Sequence, residues 1–392
     1  MSGWPLQTLS EACEINPRLP KSHGIADNRW VSFVPMAAVD ELSGTIAAKQ
    51  ARLFVEVKKG YTHFQDNDVL FAKITPCMEN GKAAVARDLV NGLGFGSTEF
   101  HVLRPRAHVL PEWVFYFVRR QRFREEAKRS FTGTAGQQRV PTTFMESACI
   151  PVPPISEQRR LVDILSRAEG IVCLRREAQK KAAELMPALF LDMFGDPATN
   201  PKGWPVGRIA EVCAKCSTRD PRKDAELRFI YIDISAIDSS RGQIVGGKEL
   251  IGAKAPSRAR QVVHSGDVVI STVRPNLRAT ALIPNELDKQ ICSTGFCVIR
   301  PTKHTTSAFL YALARSSWFV AQLMKEVRGA QYPAVSDKDI FGLSIPVPPI
   351  KNQTVFSERF NQMFSIQSQQ TTATQKAQAT FDALLARTFG GL

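Results

Sequence analysis

Few residues in this chain have the types and spacing that chemistry needs. Cys213 and Cys216 form a Cys-x-x-Cys pair, which is half of a structural zinc site. Such a site takes four ligands, usually from a second pair. Cys292 and Cys297 have four residues between them rather than two, and the matching early segment holds only Cys13. Buried thiols are therefore expected, and no metal. Gly242 through Gly247-Lys248 comes close to a phosphate-binding loop. Glu249 stands where Ser or Thr would hold magnesium, and no helical pattern follows, so nucleotide binding is not expected there. The six histidines do not cluster. No Asn-Pro-Pro-aromatic tetrapeptide for amino-methylation and no Pro-Asp dipeptide of the common nuclease kind is present. The chain is expected to have no catalytic residues of its own.

What remains are polar and basic side chains in turn-rich segments. Lys and Arg number 51 against 37 Asp and Glu, a formal charge of +14. A protein this basic meets a polyanion. The excess is not spread evenly: residues 1–150 carry +4, 151–200 zero, 201–345 +8 and 346–392 +2. Duplex DNA is read by polar side chains reaching base edges in the major groove. Candidates in the first segment are Lys73, Thr75, Asn80 and Lys82, with Gln137, Gln138 and Arg139 in the Gly-rich stretch Gly133–Val140. In the second they are Thr272, Arg274, Asn276 and Arg278, with Gln331 and Tyr332 after Gly329. The two sets are chosen because they fall at matching places in a duplication.

That duplication organises all 392 residues. Gly3-Trp4-Pro5 returns as Gly203-Trp204-Pro205, and Cys13 as Cys213. Val34–Asp40 returns as Ile232–Asp238, Asp68-Val69-Leu70 as Asp267-Val268-Val269, and Ser97–Pro105 as Ser293–Pro301. Pro151-Val152-Pro153-Pro154-Ile155 returns as Pro346-Val347-Pro348-Pro349-Ile350, and Phe194-Gly195 as Phe389-Gly390. The offset drifts only from 200 to 195. A period this long makes each copy a folding unit, not a solenoid repeat.

The elements that must position the loops follow from local pattern. Asp68–Ile74, Phe100–Leu103, Phe229–Ile234, Asp267–Val273 and Phe296–Ile299 are short apolar runs bounded by turn formers, which predicts strands. Helical stretches are expected near Glu112–Arg129 and Ser307–Val327, giving an α+β domain. A proline-rich lead-in, an N-cap at Ser156 and a long helix then follow. Leu161, Ile164, Ala168, Ile171, Arg175, Ala178, Ala182, Leu185 and Leu189 are spaced 3-4-3-4, a coiled-coil seam. The second copy offers Phe356, Arg359, Met363, Ile366, Gln370, Ala373, Ala377, Thr380 and Leu384, a weaker seam. Gly195 and Gly390 are expected stops, and Pro187 is expected to kink the first helix. Because residues 201–345 join the end of one helix to the start of the other, the two are expected to pair antiparallel. The expected layout is a domain at 1–150, a spacer helix at 151–200, a second domain at 201–345 and a distal spacer helix at 346–392, related by a pseudo-twofold axis.

The segments Ile150–Gln158 and Ile345–Gln353, each following a basic domain and leading into a long helix, resemble the specificity subunit of type I restriction–modification systems. The resemblance covers essentially the whole chain. It implies two target-recognition domains reading the halves of a bipartite DNA site. It also implies helices that space the halves and dock two methyltransferase (modification) subunits. It implies no cofactor in this chain, S-adenosylmethionine and ATP with magnesium in partner subunits, and restriction/translocase subunits as further partners. From the residues themselves, the lack of a run of about 18 apolar residues predicts no membrane span, and eight unevenly spaced cysteines read as reduced thiols, so a cytoplasmic place is expected. The alternatives are an enzyme with an unrecognised site and a plain coiled-coil scaffold.

Overall fold

Each strand of the first copy has a counterpart in the second, which adds further short strands of its own. The computed structural model describes residues 3–20, 22–134, 136–328 and 333–390. It divides into two compact units, Met1–Glu177 with Thr372–Leu392, and Ala178–Thr371. Each long helix is thus shared out, one half to each unit.

In the first unit an antiparallel sheet runs in the order Cys13–Ile15, Phe100–Pro105, Val69–Ala72, Ala83–Val85. Beside it, Gln50–Leu53, Trp30–Val34, Leu93–Gly96 and Thr62–Gln65 form a second sheet with one parallel pairing. The second unit repeats the first sheet as Cys213–Lys215, Phe296–Pro301, Val268–Ser271 and Thr280–Leu282. Its other sheet adds one edge strand to give Ser217–Thr218, Ala259–Val262, Ile291–Ser293, Arg228–Ile232 and Lys248–Ile251. Val69–Ala72 and Val268–Ser271 are buried at every position. Being covered on both faces, they read as unbroken apolar runs instead of alternating.

Three polar devices occur in both copies and explain why their residues recur. Arg104 grips Asp68 bidentately, Nε to Oδ1 at 2.9 Å and Nη2 to Oδ2 at 2.8 Å, and Arg300 grips Asp267 at 2.8 and 2.7 Å. Each carboxylate is 1% exposed, where an unpaired charge would cost several kcal/mol or more. The Pro5 carbonyl accepts from Val152 N at 2.9 Å, and that of Pro205 from Val347 N at 2.8 Å, closing the start of each copy onto its proline-rich exit. Arg119 donates to the Glu41 and Leu42 carbonyls, and Arg315 to those of Ser239 and Ser240, holding the same turn in each copy.

Each expected helical stretch is two helices, Pro111–Arg119 with Gln121–Arg129, and Ser307–Arg315 with Ser317–Lys325. Arg120 and Ser316 break them with extended backbone. The long helices run Ile155–Phe194 and Ile350–Phe389. The first continues through Pro187, whose ring removes the N–H that the Ala183 carbonyl would receive. Ser156 lies inside the first turn, not at its cap. Gly195, at φ 81°, ends the helix in the left-handed conformation that glycine adopts without cost. Within the first unit Arg176 Nη2 meets Gln378 Oε1 at 2.8 Å, while Leu165, Val172, Phe381, Leu385 and Phe389 share one core. Within the second, Gln179 meets Thr371 at 3.0 Å, Gln367 donates to the Ala182 carbonyl at 2.8 Å, and Phe190 and Phe194 pack on Phe356. In each unit the numbering of one helix rises as the other falls, so both halves pair antiparallel.

The seam itself needs correction. Ile164, Ile171, Leu185 and Ile366 are 38%, 51%, 52% and 52% exposed, whereas Leu165, Val172 and Met186 are buried. Leu161, Leu189, Met363 and Leu384 pack partly buried against the cores, and Phe356 is fully buried. The contact line runs one residue beyond Ile164, Ile171 and Leu185. Two neighbouring rows are apolar in sequence, and the domain that packs against the helix chooses between them. Among the described residues no helix is long and apolar enough to cross a membrane.

Candidate nucleic-acid interface

In the first unit the two candidate loops meet. Thr75 N donates to the Gln138 carbonyl at 3.0 Å and Val140 N to the Lys73 carbonyl at 2.9 Å. Thr132 and Arg139 exchange backbone hydrogen bonds at 3.0 and 2.9 Å, so the Gly-rich stretch is a hairpin laid beside residues 73–82. Gly133, at φ 110°, supports its turn; a Cβ there would lie 2.9 Å from the Gln137 carbonyl oxygen.

Acids that sequence reasoning passed over hold this surface. Glu79 accepts from the Thr75 hydroxyl and the Lys128 ammonium. Those hydrogen bonds, that of Lys128 foremost, keep its carboxyl below the usual range. Glu99 accepts from Arg139 Nε and Nη2, both at 2.9 Å, and is likewise held low, chiefly by Arg139. Asn80 reaches Glu41 at 3.4 Å and Lys82 the Met36 carbonyl at 3.3 Å. Gln137 is exposed, and Gln138 and Lys73 are half-buried.

The second unit brings its loop to the same place. Arg274 N donates to the Pro333 carbonyl at 2.8 Å and Val335 N to the Thr272 carbonyl at 2.9 Å. Arg274, Asn276 and Arg278 are exposed around the single turn Pro275–Leu277. Arg274 and Arg278 both take left-handed backbone, φ 50° and 54°. That costs each about 1 kcal/mol or more and turns adjacent side chains outward. Arg278 Nη2 donates to Ser317 Oγ at 3.1 Å. Thr272 is a correction: it is 8% exposed and its hydroxyl donates to the Gly295 carbonyl at 2.9 Å. Its polar group is consumed within the fold, so it supports the loop and does not reach a base. Gln331 and Tyr332 lie outside the described residues.

The scaffold is shared and the surface is not. Where the first copy has Glu79 and Glu99, the second has Arg278 and Gly295. The signal was present in the duplication, as acids replaced by a cation and a glycine in otherwise matching segments.

The residues set aside for other chemistry stay apart from it. All eight cysteines are unpaired thiols. Burial pushes Cys213 and Cys216 up to about 11 and Cys13 to about 12. Among the described residues no group of three His, Cys, Asp or Glu could hold a metal ion. Lys248, of the near phosphate loop, lies on a strand and pairs with Asp233 at 2.9 Å. Trp4 packs edge-on against Trp113, and Trp204 Nε1 donates to the Phe194 carbonyl at 2.9 Å. Neither is a stacking platform.

A family model described as the Type I restriction modification DNA specificity domain matches residues 1–184 and again 201–379. The chain is similar to the Type I restriction enzyme EcoEI specificity subunit of Escherichia coli, 40% identical over 166 residues, 42% of this chain and 27% of that protein. The EcoAI specificity subunit of the same organism is 39% identical over 161 residues, 41% and 27% of the two chains. The match therefore spans about a quarter of the length of these relatives. The Type I restriction enzyme MjaVIII specificity subunit of Methanocaldococcus jannaschii is 21% identical over 361 residues, 86% and 80% of the two chains. Among solved structures, the S subunit of a type I restriction–modification system from M. genitalium covers 99% of this chain and 96% of its own, with TM-score 0.54 at 14% identity. A chain from a study of assembly and conformational transition in a type I R-M system gives TM-score 0.57 at 23% identity over 99% and 98%. At these identities the structural likeness is one of fold.

Proposed function

Because the chain belongs to the type I restriction modification DNA specificity domain family, we propose that it is the DNA-reading subunit of a type I restriction–modification complex. Residues 1–150 read one half of a bipartite site and residues 201–345 the other. The helical segments 151–200 and 346–392 serve as spacer and docking surface. The subunit is non-catalytic and cytoplasmic. Two methyltransferase subunits supply S-adenosylmethionine, and restriction/translocase subunits supply ATP with magnesium.

One observation carries this reading. The same loop pair, 73–82 with 133–140 and 272–278 with 333–335, is built on the same scaffold in both units, yet its outward residues differ. Duplicated readers with unlike side chains suit a site with two unlike halves. Lys73, Thr75, Asn80, Lys82, Gln137, Gln138 and Arg139 are the candidate readers of one half, and Arg274, Asn276 and Arg278 of the other. Docking on the helices is supported by apolar residues left outside the cores: Ile164, Ile171 and Leu174 in one unit, Leu185, Leu191 and Ile366 in the other.

The test is methylation mapping of the assembled complex, with and without exchange of residues 1–150 for those of a relative. The expected result is a two-part motif of which the exchange alters one part only. One continuous motif, or alteration of both parts, would overturn the two-reader assignment. The chain alone is expected to transfer no methyl group.

A further inference from the structure

Both carboxylate oxygens of Glu99 are spent on one residue, Arg139. Its two oxygens take Nε and Nη2 of the guanidinium at 2.9 Å each, and Nη1 donates to the Gln137 carbonyl at 2.8 Å. Arginine has five N–H donors in a rigid plane. Three are used here, which leaves one on Nη1 and one on Nη2. The side chain stays 39% exposed, so that tip is open to a second partner. We propose that Glu99 and Arg139 are a buttressed pair in which Glu99 fixes the guanidinium and Arg139 reads a guanine through O6 and N7 in the half-site of the first repeat. Two remaining donors are the number guanine's major-groove edge accepts, and a bidentate arginine is the commonest specific contact to that base. The inference rests on the DNA-reading function proposed above.

The duplication supplies the control. Pairs that the scaffold needs occur in both copies: Asp68–Arg104 with Asp267–Arg300, and Gln158 with Gln353. The Glu99–Arg139 pair occurs in one. Its positions in the second copy are Gly295 and Ala334, which holds the matching backbone bridge to Val273. Both partners are replaced together, and the second copy still builds the same hairpin contact. The scaffold contact is thus built in the second copy without the pair, which separates the pair from the duplicated framework. Glu99 is a positioning residue: it fixes rotamer and direction, and its charge opposes DNA binding in general.

That opposition gives the test its sign. The full chain and three variants, Arg139→Ala, Arg139→Lys and Glu99→Gln, are used to enrich sites from a random-sequence duplex library. Each is also titrated with a single duplex of arbitrary sequence. The wild-type chain should enrich a two-part motif. Arg139→Ala should lose one guanine preference in one half by roughly fivefold to hundredfold, and Arg139→Lys should lose it too, since a point charge has no fork. Glu99→Gln should relax the same position, yet bind the arbitrary duplex as well as or better than wild type, because a negative charge has gone. The untouched second half of the motif reports that each variant is folded. An unchanged motif in Arg139→Ala, a Glu99→Gln variant that loses affinity for every duplex alike, or relaxation at a different position would each overturn the pair. No motif at all from the wild-type chain would overturn the DNA-reading assignment itself, and the pair with it.

Discussion

Gln158 and Gln353 are the residues that make the recurring proline-rich motif intelligible. Both are fully buried. Gln158 Nε2 donates to the Pro153 and His108 carbonyls at 2.8 and 2.9 Å and its Oε1 accepts from Leu110 N at 2.9 Å. Gln353 does the same with Pro348, His304 and Thr306 at 2.8, 3.0 and 2.9 Å. Only an amide donates twice and accepts once in this place, which is why the neighbours Glu157 and Asn352 vary and the glutamine does not. Gln158→Glu should bury a charge against two carbonyls and cost about 3 kcal/mol, seen as a lowered urea midpoint; an unchanged midpoint would show that these amide hydrogen bonds do not stabilise the fold. His101 offers a pH test. Burial pushes its imidazole down to about 4, while Nε2 donates to the Val140 carbonyl at 2.9 Å and Nδ1 accepts from Asn16 at 3.1 Å. Unfolded, the ring takes its proton near pH 6.5. The stability from keeping it neutral is complete above that pH and is lost as pH falls from about 6.5 towards 4, by up to about 3 kcal/mol. His101→Gln, which keeps the donor to Val140, should flatten that part of the curve. A curve of unchanged shape would show that His101 is not its source.

At the scale of elements, the long helices show how a correct period can carry the wrong row. The 3-4 spacing from Leu161 is real, but Ile164 and Ile171 sit next to Leu165 and Val172, and both rows are apolar. An α-helix at about 3.6 residues per turn drifts from a strict seven-residue repeat by some 20° each heptad, so the strip facing a packed domain need not be the strip facing an ideal partner helix. Val172→Asp should therefore cost several kcal/mol. Ile171→Asp should leave the melting temperature within about 2–4 °C while weakening capture of the proposed methyltransferase partners. Equal melting losses in the two variants would contradict the observed row. Cysteines at positions 176 and 378, where the tips of the native side chains meet, should be joined by a bifunctional thiol reagent with a spacer about as long as those two side chains.

For the molecule as a whole, the two copies are one scaffold with two electrostatic characters. The loop surface of the first copy carries Glu79 and Glu99, while the second has Arg278 and Gly295 at those positions. Segment charges of +4 and +8 follow the same division. Binding to DNA of arbitrary sequence should fall linearly with the logarithm of salt. Replacing Arg274 and Arg278 together by alanine should reduce that slope by about 2. Replacing Arg139 and Glu99 together, a neutral pair, should leave it nearly unchanged. Equal effects of the two double replacements would show that the charge division does not reach the DNA.

By itself the sequence determined the duplication, the central strands of each copy, the long helices and the family, because each rests on local pattern or on residues repeated at a nearly constant offset, and the tether between the helices determined that they pair antiparallel. It also picked out the loops, since turn chemistry and clustered polar side chains are local. The tertiary structure alone decided which helix row is buried, that Thr272 spends its hydroxyl on Gly295, and that Glu99 closes on Arg139 from 40 positions away. Those outcomes depend on which distant backbone arrives beside a side chain, and no spacing along the chain encodes that arrival.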